Sequence, residues 1–370
     1  METIENESRP KSSTILSNLK ANKPEPIVSN IDVFPYKRRT EPQEAIDALI
    51  EGYNVLVVDY FSSGLELLSA LKRFVKSKYS DQSFQGQRDF RATFRELSHR
   101  ILLNVSKHKL VVRKAPKIGW FEILYPGLNE FLLPFPQIQG LNSAWQWYEK
   151  GIFIPVLKRK IHPWFGTYFP TRFEHLELFD SWLRRYKGDK KSAFDIGIGS
   201  GVLSFQLVKQ GFEKVYGTDS NPNAIIGLNE NSNQLHSKIE LIHGDLFANS
   251  NENAELIVFN PPWLPASQNL DELDKAIYYN SELFSRFFAE AKKHLQPNGR
   301  VVLLFSNLAR ITKVDDTHPI ETELAEGGRF EKELFLQKKV RSASKRTKRN
   351  QTWRAEEMVE LWVLKLRSDK

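Results

Sequence analysis

The rhythm of apolar and polar positions changes near residue 173. A helical period over Phe173–Tyr186 is followed by short β-like runs at Ser192–Ile196, Lys214–Thr218, Ile239–His243, Leu256–Phe259 and Arg300–Phe305, with helical segments between them. After a short helix near Ile320–Ala325 come two longer strand candidates, Phe330–Val340 and Met358–Leu366. Strands alternating with helices predict βαβ units and a parallel, doubly wound α/β sheet, seven-stranded if both terminal candidates join it.

Upstream the pattern is less regular. Residues 1–40 are rich in Ser, Asn, Pro, Lys and Glu without hydrophobic period, and read as a flexible tail. Residues 41–160 read as a mixed α/β domain, expected to recognise substrate, ahead of a 161–370 domain. It holds an apolar run at Asn54–Val58 and a helical stretch at Gly64–Lys78. A basic helix is expected over Arg88–Val105, with Phe90, Phe94, Leu97 and Ile101 on one face. Strands are expected at Leu110–Val112 and Trp120–Leu124. A proline break follows at Leu133–Pro136, then a helix carrying Trp145, Trp147 and Tyr148. Those aromatics are expected in the core.

The 370 residues suit about two domains of ~150 residues. The absence of cysteine removes disulfides, thiolate metal sites and cysteine nucleophiles, and the eight histidines show no close-paired ligand spacing, so no metal is expected. No apolar run approaches the ~20 residues that span a bilayer, and three glutamates within Met1–Glu7 argue against a targeting peptide; a cytoplasmic protein with no membrane partner is the expectation. The net charge of +8 is unevenly placed. Residues 338–354 hold eight basic and no acidic residues, and residues 72–117 hold thirteen basic and three acidic ones, against an acidic remainder. Such clustering suits a polyanionic partner, or two solvated faces.

Asp195-Ile196-Gly197-Ile198-Gly199-Ser200-Gly201 closes a strand and opens a helix. Glycines permit close approach of backbone to a ligand, and the helix N-terminus offers unpaired N–H groups to an anionic group. A dinucleotide fingerprint would place glycine at 202, where Val202 stands. With Asp195, Gly197, Gly199 and Gly201 so spaced, the turn resembles motif I of class I S-adenosylmethionine (SAM) methyltransferases. Asp219-Ser220-Asn221 ends the second strand, where a carboxylate can accept two hydrogen bonds from a ribose diol. Asp245-Leu246-Phe247 follows the third strand and resembles the family position where an acid meets the adenine amino group and apolar residues flank the ring. Each acid alone would also serve as a helix cap.

Asn260-Pro261-Pro262-Trp263 follows the fourth strand. It matches the (D/N/S)PP(Y/F/W) signature of methyltransferases acting on a nitrogen conjugated to a π system, such as a base exocyclic amine or a glutamine amide. The lone pair of such a nitrogen is delocalised and weakly nucleophilic. The Asn260 side-chain oxygen and Pro261 carbonyl can accept its N–H groups and favour the charge that develops on transfer. Two prolines fix φ, and Trp263 offers a flat face worth ~1–3 kcal/mol to a stacked base.

Residues from about 165 to 310 and the terminal strand pair therefore resemble the "methyltransferase small domain" group, which includes release-factor glutamine methyltransferases and rRNA and tRNA base N-methyltransferases. The resemblance implies a Rossmann-like methyltransferase sheet, SAM as cofactor and an N-methyltransferase activity. Tyr168–Glu174 resembles the group's proline-containing segment ahead of motif I, which would lay Phe169, Pro170 and Thr171 over the cofactor. Trp263 departs from the tyrosine usual in the glutamine enzymes, and residues 41–160 depart from their helical bundle. The group's last two strands are antiparallel and joined on the cofactor face, which would hang Lys345, Arg346, Lys348, Arg349 and Trp353 beside the site, suited to a phosphate backbone. The expected substrate is an exocyclic amine of a nucleic-acid base, RNA before DNA. The alternatives are protein glutamine methylation and a non-catalytic RNA-binding scaffold.

Overall fold

The computed structural model describes residues 18–79, 84–230, 237–266, 278–341 and 356–367. The chain forms two compact units, one of Lys23–Lys150 and one of Gly151–Lys370 joined by the stretch that ends at Asn22.

The first unit is an α/β sheet. Strands β1 (Val33–Tyr36), β2 (Asn54–Val57) and β3 (Ile101–Ser106) are parallel, and β4 (Lys109–Leu110) and β5 (Glu130–Pro134) run antiparallel to β3. Helices α1 (Pro42–Ile50), α2 (Phe61–Lys78), α3 (Phe84–Ser98), α4 (Trp120–Leu124) and α5 (Phe135–Lys150) connect or follow them. Three expectations are corrected here. Residues 27–36 are not tail: Ile27 exchanges backbone hydrogen bonds with Leu132 (2.9 and 3.0 Å), and β1 pairs with β2. A four-residue edge strand containing Pro35 carries no readable period. The basic helix stops at Ser98, and Ile101–Val105 is strand. A strand buried on both faces reads as a continuous apolar run, which periodicity cannot separate from a helix. Trp120–Leu124 is helical, because Trp120, Phe121 and Leu124 bury at i, i+1 and i+4.

The second unit starts earlier than residue 161. A hairpin of β6 (Ile152–Ile154) and β7 (Arg159–Ile161) puts Ile154 and Ile161 into its core. Next come α6 (Glu174–Leu183), β8 (Ser192–Ile196), α7 (Val202–Lys209), β9 (Lys214–Asp219), α8 (Pro222–Glu230), β10 (Ile239–His243) and β11 (Ala254–Phe259). After β12 (Leu264–Pro265) and β13 (Tyr278–Tyr279) come α9 (Leu283–His294), β14 (Leu295–Ser306), α10 (Leu308–Ile311), α11 (Pro319–Thr322), β15 (Phe330–Lys339) and β16 (Met358–Leu366). The seven main strands lie in the order β10-β9-β8-β11-β14-β16-β15, parallel except for β16. The order reverses between β8 and β11, and ligands of such sheets bind beyond the carboxyl ends of the strands at that switch point.

Register places the chemistry on this edge. Ile196 pairs with Thr218 on one side and Phe259 on the other, so Gly197, Asp219 and Asn260 emerge at one level. At ~4.8 Å between strands, Asp219 and Asn260 flank the turn roughly 10 Å apart. Ser306 and Lys338 both pair with Val359, which brings the ends of β14 and β15 and the start of β16 to the same edge. The stretch ending at Asn22 is fastened to this unit. Asn22 exchanges 2.8 Å backbone hydrogen bonds with the buried Asn223 side chain, and Leu19 packs on the core. Among the described residues, no helix is long and apolar enough to cross a membrane.

Tyr36 is 1% exposed. Tyr36→Ala is expected to lower stability by about 3 kcal/mol in urea unfolding of the full chain. An unchanged midpoint would mean that residues 27–36 contribute nothing to the fold.

Candidate active site

Gly197, Gly199 and Gly201 have φ of +66°, +51° and +78°. At two of them space is also short: a Cβ on Gly199 would stand 3.3 Å from the Tyr168 carbonyl, and one on Gly201 2.9 Å from Leu228. Gly201 precedes α7 and has no side chain to cap it. Asp195 does so from the strand below, its Oδ2 accepting from the Ser204 amide (2.8 Å) and hydroxyl (2.6 Å). Burial pushes the Asp195 carboxyl up to about 7 against those hydrogen bonds, with the nearby Asp219 adding to the rise. Its Oδ1 is buried without a partner. Asp195 therefore builds the turn, and the contact expected with a cofactor can come only from Oδ1.

Asp219 ties the turn to the next strand. Its Oδ2 accepts the Gly199 amide and its Oδ1 the Asn221 amide, both at 2.8 Å. Each oxygen keeps a second lone pair, so a ribose diol can still be accepted. Burial raises this carboxyl too. Asn221 braces the turn: its Nδ2 donates to the Gly166 carbonyl (2.8 Å) and its Oδ1 accepts the Asn223 amide (3.1 Å). Ser220 is exposed on the rim. The segment ahead of α6 passes over the turn at Tyr168; there Phe169 is half-buried, Pro170 buried and Thr171 exposed.

The third strand's end differs from expectation. Asp245 is exposed and bound to Arg286 of α9 at 2.6 Å. Phe247 is fully buried, its ring stacked on His294 at 4.5 Å as part of the core. Leu246 is buried as well, its carbonyl accepting from Thr218 at 2.5 Å.

At the end of β11, Asn260 is partly buried and its Oδ1 has no hydrogen-bond partner among the described residues. An orphaned acceptor beside a positive-φ glycine turn is a feature that a bound N–H donor would complete. Pro261 is buried and Pro262 partly buried. The Trp263 indole N–H donates to the Leu304 carbonyl (3.3 Å), and its ring meets His175 edge-on at 5.6 Å. His175, which no motif marks, is 2% exposed; burial lowers it to about 4, so it is neutral at neutral pH.

Lys345, Arg346, Lys348, Arg349 and Trp353 lie outside the described residues. The roots of that connection are described, and two of their cations, Lys338 and Arg341, are paired. Lys338 donates to Glu177 (2.5 Å), Arg341 to Glu177 (2.9 Å) and, through its backbone, to Glu174 (3.1 Å), while Arg172 pairs with Glu357. Two of the eight basic residues thus clasp α6.

A seven-stranded sheet with a glycine turn, an acid ending the neighbouring strand and an Asn-Pro-Pro-Trp corner at its switch point defines the class I methyltransferase architecture. The methyltransferase small domain profile matches residues 178–317. A candidate protein N5-glutamine methyltransferase of Methanocaldococcus jannaschii is 32% identical over 164 residues, 42% of this chain and 80% of that protein. The ribosomal protein L11 methyltransferase of Lachnospira eligens is 36% identical over 85 residues, 22% of this chain but only 27% of that enzyme. The structure of a ribosomal protein L11 methylase from Lactobacillus delbrueckii subsp. bulgaricus matches with a TM-score of 0.37 at 21% identity, covering 57% of this chain and 87% of that one. The chain belongs to the methyltransferase small domain family, and it is a methyltransferase.

Asp195 supplies a pH test. Its folded value lies above the ~3.9 of an unfolded aspartate, so the folded protein holds the extra proton between the two and stability falls as pH rises from about 4 to about 7. Asp195→Asn keeps an acceptor for Ser204 and should remove that slope, its Tm gaining several °C on the wild type across the window in calorimetry. Parallel curves would show an unperturbed carboxyl.

Proposed function

We propose that the protein transfers a methyl group from SAM to a planar, conjugated nitrogen, and that the preferred substrate is an exocyclic amine of an RNA base. The observation that carries the chemistry is the unpartnered Asn260 Oδ1 at the switch point. Asp219 would take the ribose of SAM on its free lone pairs, and the glycine turn would receive the methionine portion against backbone. When bound, SAM supplies an electrophilic methyl whose leaving group is a neutral thioether.

Asn260 and the Pro261 carbonyl accept the two N–H bonds of the target amine and hold its lone pair toward the turn. Their attraction grows as the nitrogen becomes positive, so they stabilise the transition state more than the ground state. Trp263, fixed by Leu304 and His175, fills the wall against which the planar group lies. The acidic N-methylated nitrogen then yields its proton without a dedicated strong base.

The net charge of +8 and the basic segments support an RNA substrate. The pairing of Lys338 and Arg341 with Glu177 leaves less of that charge for a ligand than the sequence suggests. A second reading, the side-chain amide of a protein glutamine, is supported by the names of relatives from M. jannaschii and Corynebacterium glutamicum, the latter 29% identical over 32% of this chain and 44% of that enzyme.

Asn260→Ala should lower turnover by about 10²-fold or more while changing SAM affinity only a few-fold, and Asp219→Ala should chiefly weaken SAM binding, by titration calorimetry and methyl-transfer assay. Unchanged turnover in Asn260→Ala removes the assigned chemistry. Transfer from labelled SAM into a total extract, before and after ribonuclease, separates the substrates; label confined to protein establishes the glutamine reading.

A further inference from the structure

On the helix side of the glycine turn, an open recess of about 540 Å³ lies between α7, α8 and residues 159–167. Arg159, Lys160, His162, Thr167, Gly199 and Ser200 line it, and among the described residues no carboxylate does. Two of these side chains are incomplete as they stand. Thr167 is 7% exposed, yet among the described residues its hydroxyl has no hydrogen-bond partner. Arg159 stands over the Phe205 ring at 4.1 Å with its Nε buried and unpartnered, and it forms no ion pair among the described residues. Burial holds its guanidinium below the ordinary arginine pKa. Arg159 is half-buried, and its Nε has lost water without gaining an acceptor, a donor that an anion in the recess would satisfy.

The wall is rich in donors: a guanidinium, an ammonium, hydroxyls and the backbone that leads into α7. Several oxygens on one tetrahedral centre can satisfy such donors together, which a planar carboxylate does less well. We propose that this recess binds a phosphate group. If the RNA reading above holds, on which this source rests, the phosphate belongs to the substrate backbone; a free phosphate ester presents the same chemistry.

The test uses the full chain. Titration calorimetry with inorganic phosphate and with adenosine 5′-monophosphate should show saturable binding. Arg159→Met, which keeps the packing on Phe205, should weaken it about ten-fold or more, and Thr167→Val a few-fold, with S-adenosylhomocysteine binding unchanged in both. With a labelled single-stranded RNA, a fall of about 0.7 in the log–log salt slope in Arg159→Met supports the recess with the RNA backbone as source. An unchanged slope alongside lost phosphate binding supports it with a free ester. Absence of saturable phosphate binding, or binding that survives both substitutions, overturns the proposal. So does loss of S-adenosylhomocysteine affinity in both variants without phosphate binding, which would give the recess to the cofactor's carboxylate. Asn260→Ala should leave phosphate binding intact, so the methyl-transfer reading and this one fail separately.

Discussion

The amide of Gly199 donating to the carboxylate of Asp219 is the contact on which the rest of the site depends. It fastens a turn of three left-handed glycines to the end of the adjoining strand, while Asp195 fastens the same turn from beneath through Ser204. Both acids are forced toward their protonated forms by burial, and the charge of Asp219 adds to the rise at Asp195. Two desolvated carboxylates around one cleft favour a cationic guest. The proposed methyl donor carries a sulfonium and an ammonium, so the electrostatics of the cleft and the chemistry of the corner at Asn260 support the same reading.

A second chain of contacts runs from the corner outward. Trp263 leans on His175; His175 belongs to α6; and the first turn of α6 holds Lys338 and Arg341 at the end of β15. Arg172, just before that helix, holds Glu357 just before β16. The wall of the proposed amine pocket and both roots of the basic connection are therefore built on one short helix. Asn221 and Asn223 perform a comparable service on the other flank, holding the carbonyls of Gly166 and Phe165 beside the turn.

What could be read from the sequence was local. The strands β8 to β11 and the turns after them are contiguous stretches that parallel pairing brings to one carboxyl edge, so Gly199, Asp219 and Asn260 were legible from local motifs and the family resemblance they carry. Partners contributed from a distance were not. Nothing near Asp245 in the chain signals Arg286, and nothing near Trp263 signals His175. Phe247 reads as a ligand-flanking aromatic until His294 is seen stacked on it. In the first unit, β1 is too short and too polar at its margins to show a period, and β3 is too uniformly apolar to show one. Short elements such as α4 declare themselves only by which side chains they bury.

The bonds between Asn22 and Asn223 have a topological consequence. Because the chain touches the methyltransferase unit before residue 23 and returns to it at Gly151, the 23–150 unit is an insertion with two covalent junctions. A backbone cut between Lys150 and Gly151 leaves the 23–150 unit attached to its host only through the contacts of Leu19 and Asn22. Excision requires Asn22 to be spliced to Gly151, and with the insertion in place the host folds around a long internal loop whose closure entropy grows only slowly with its length.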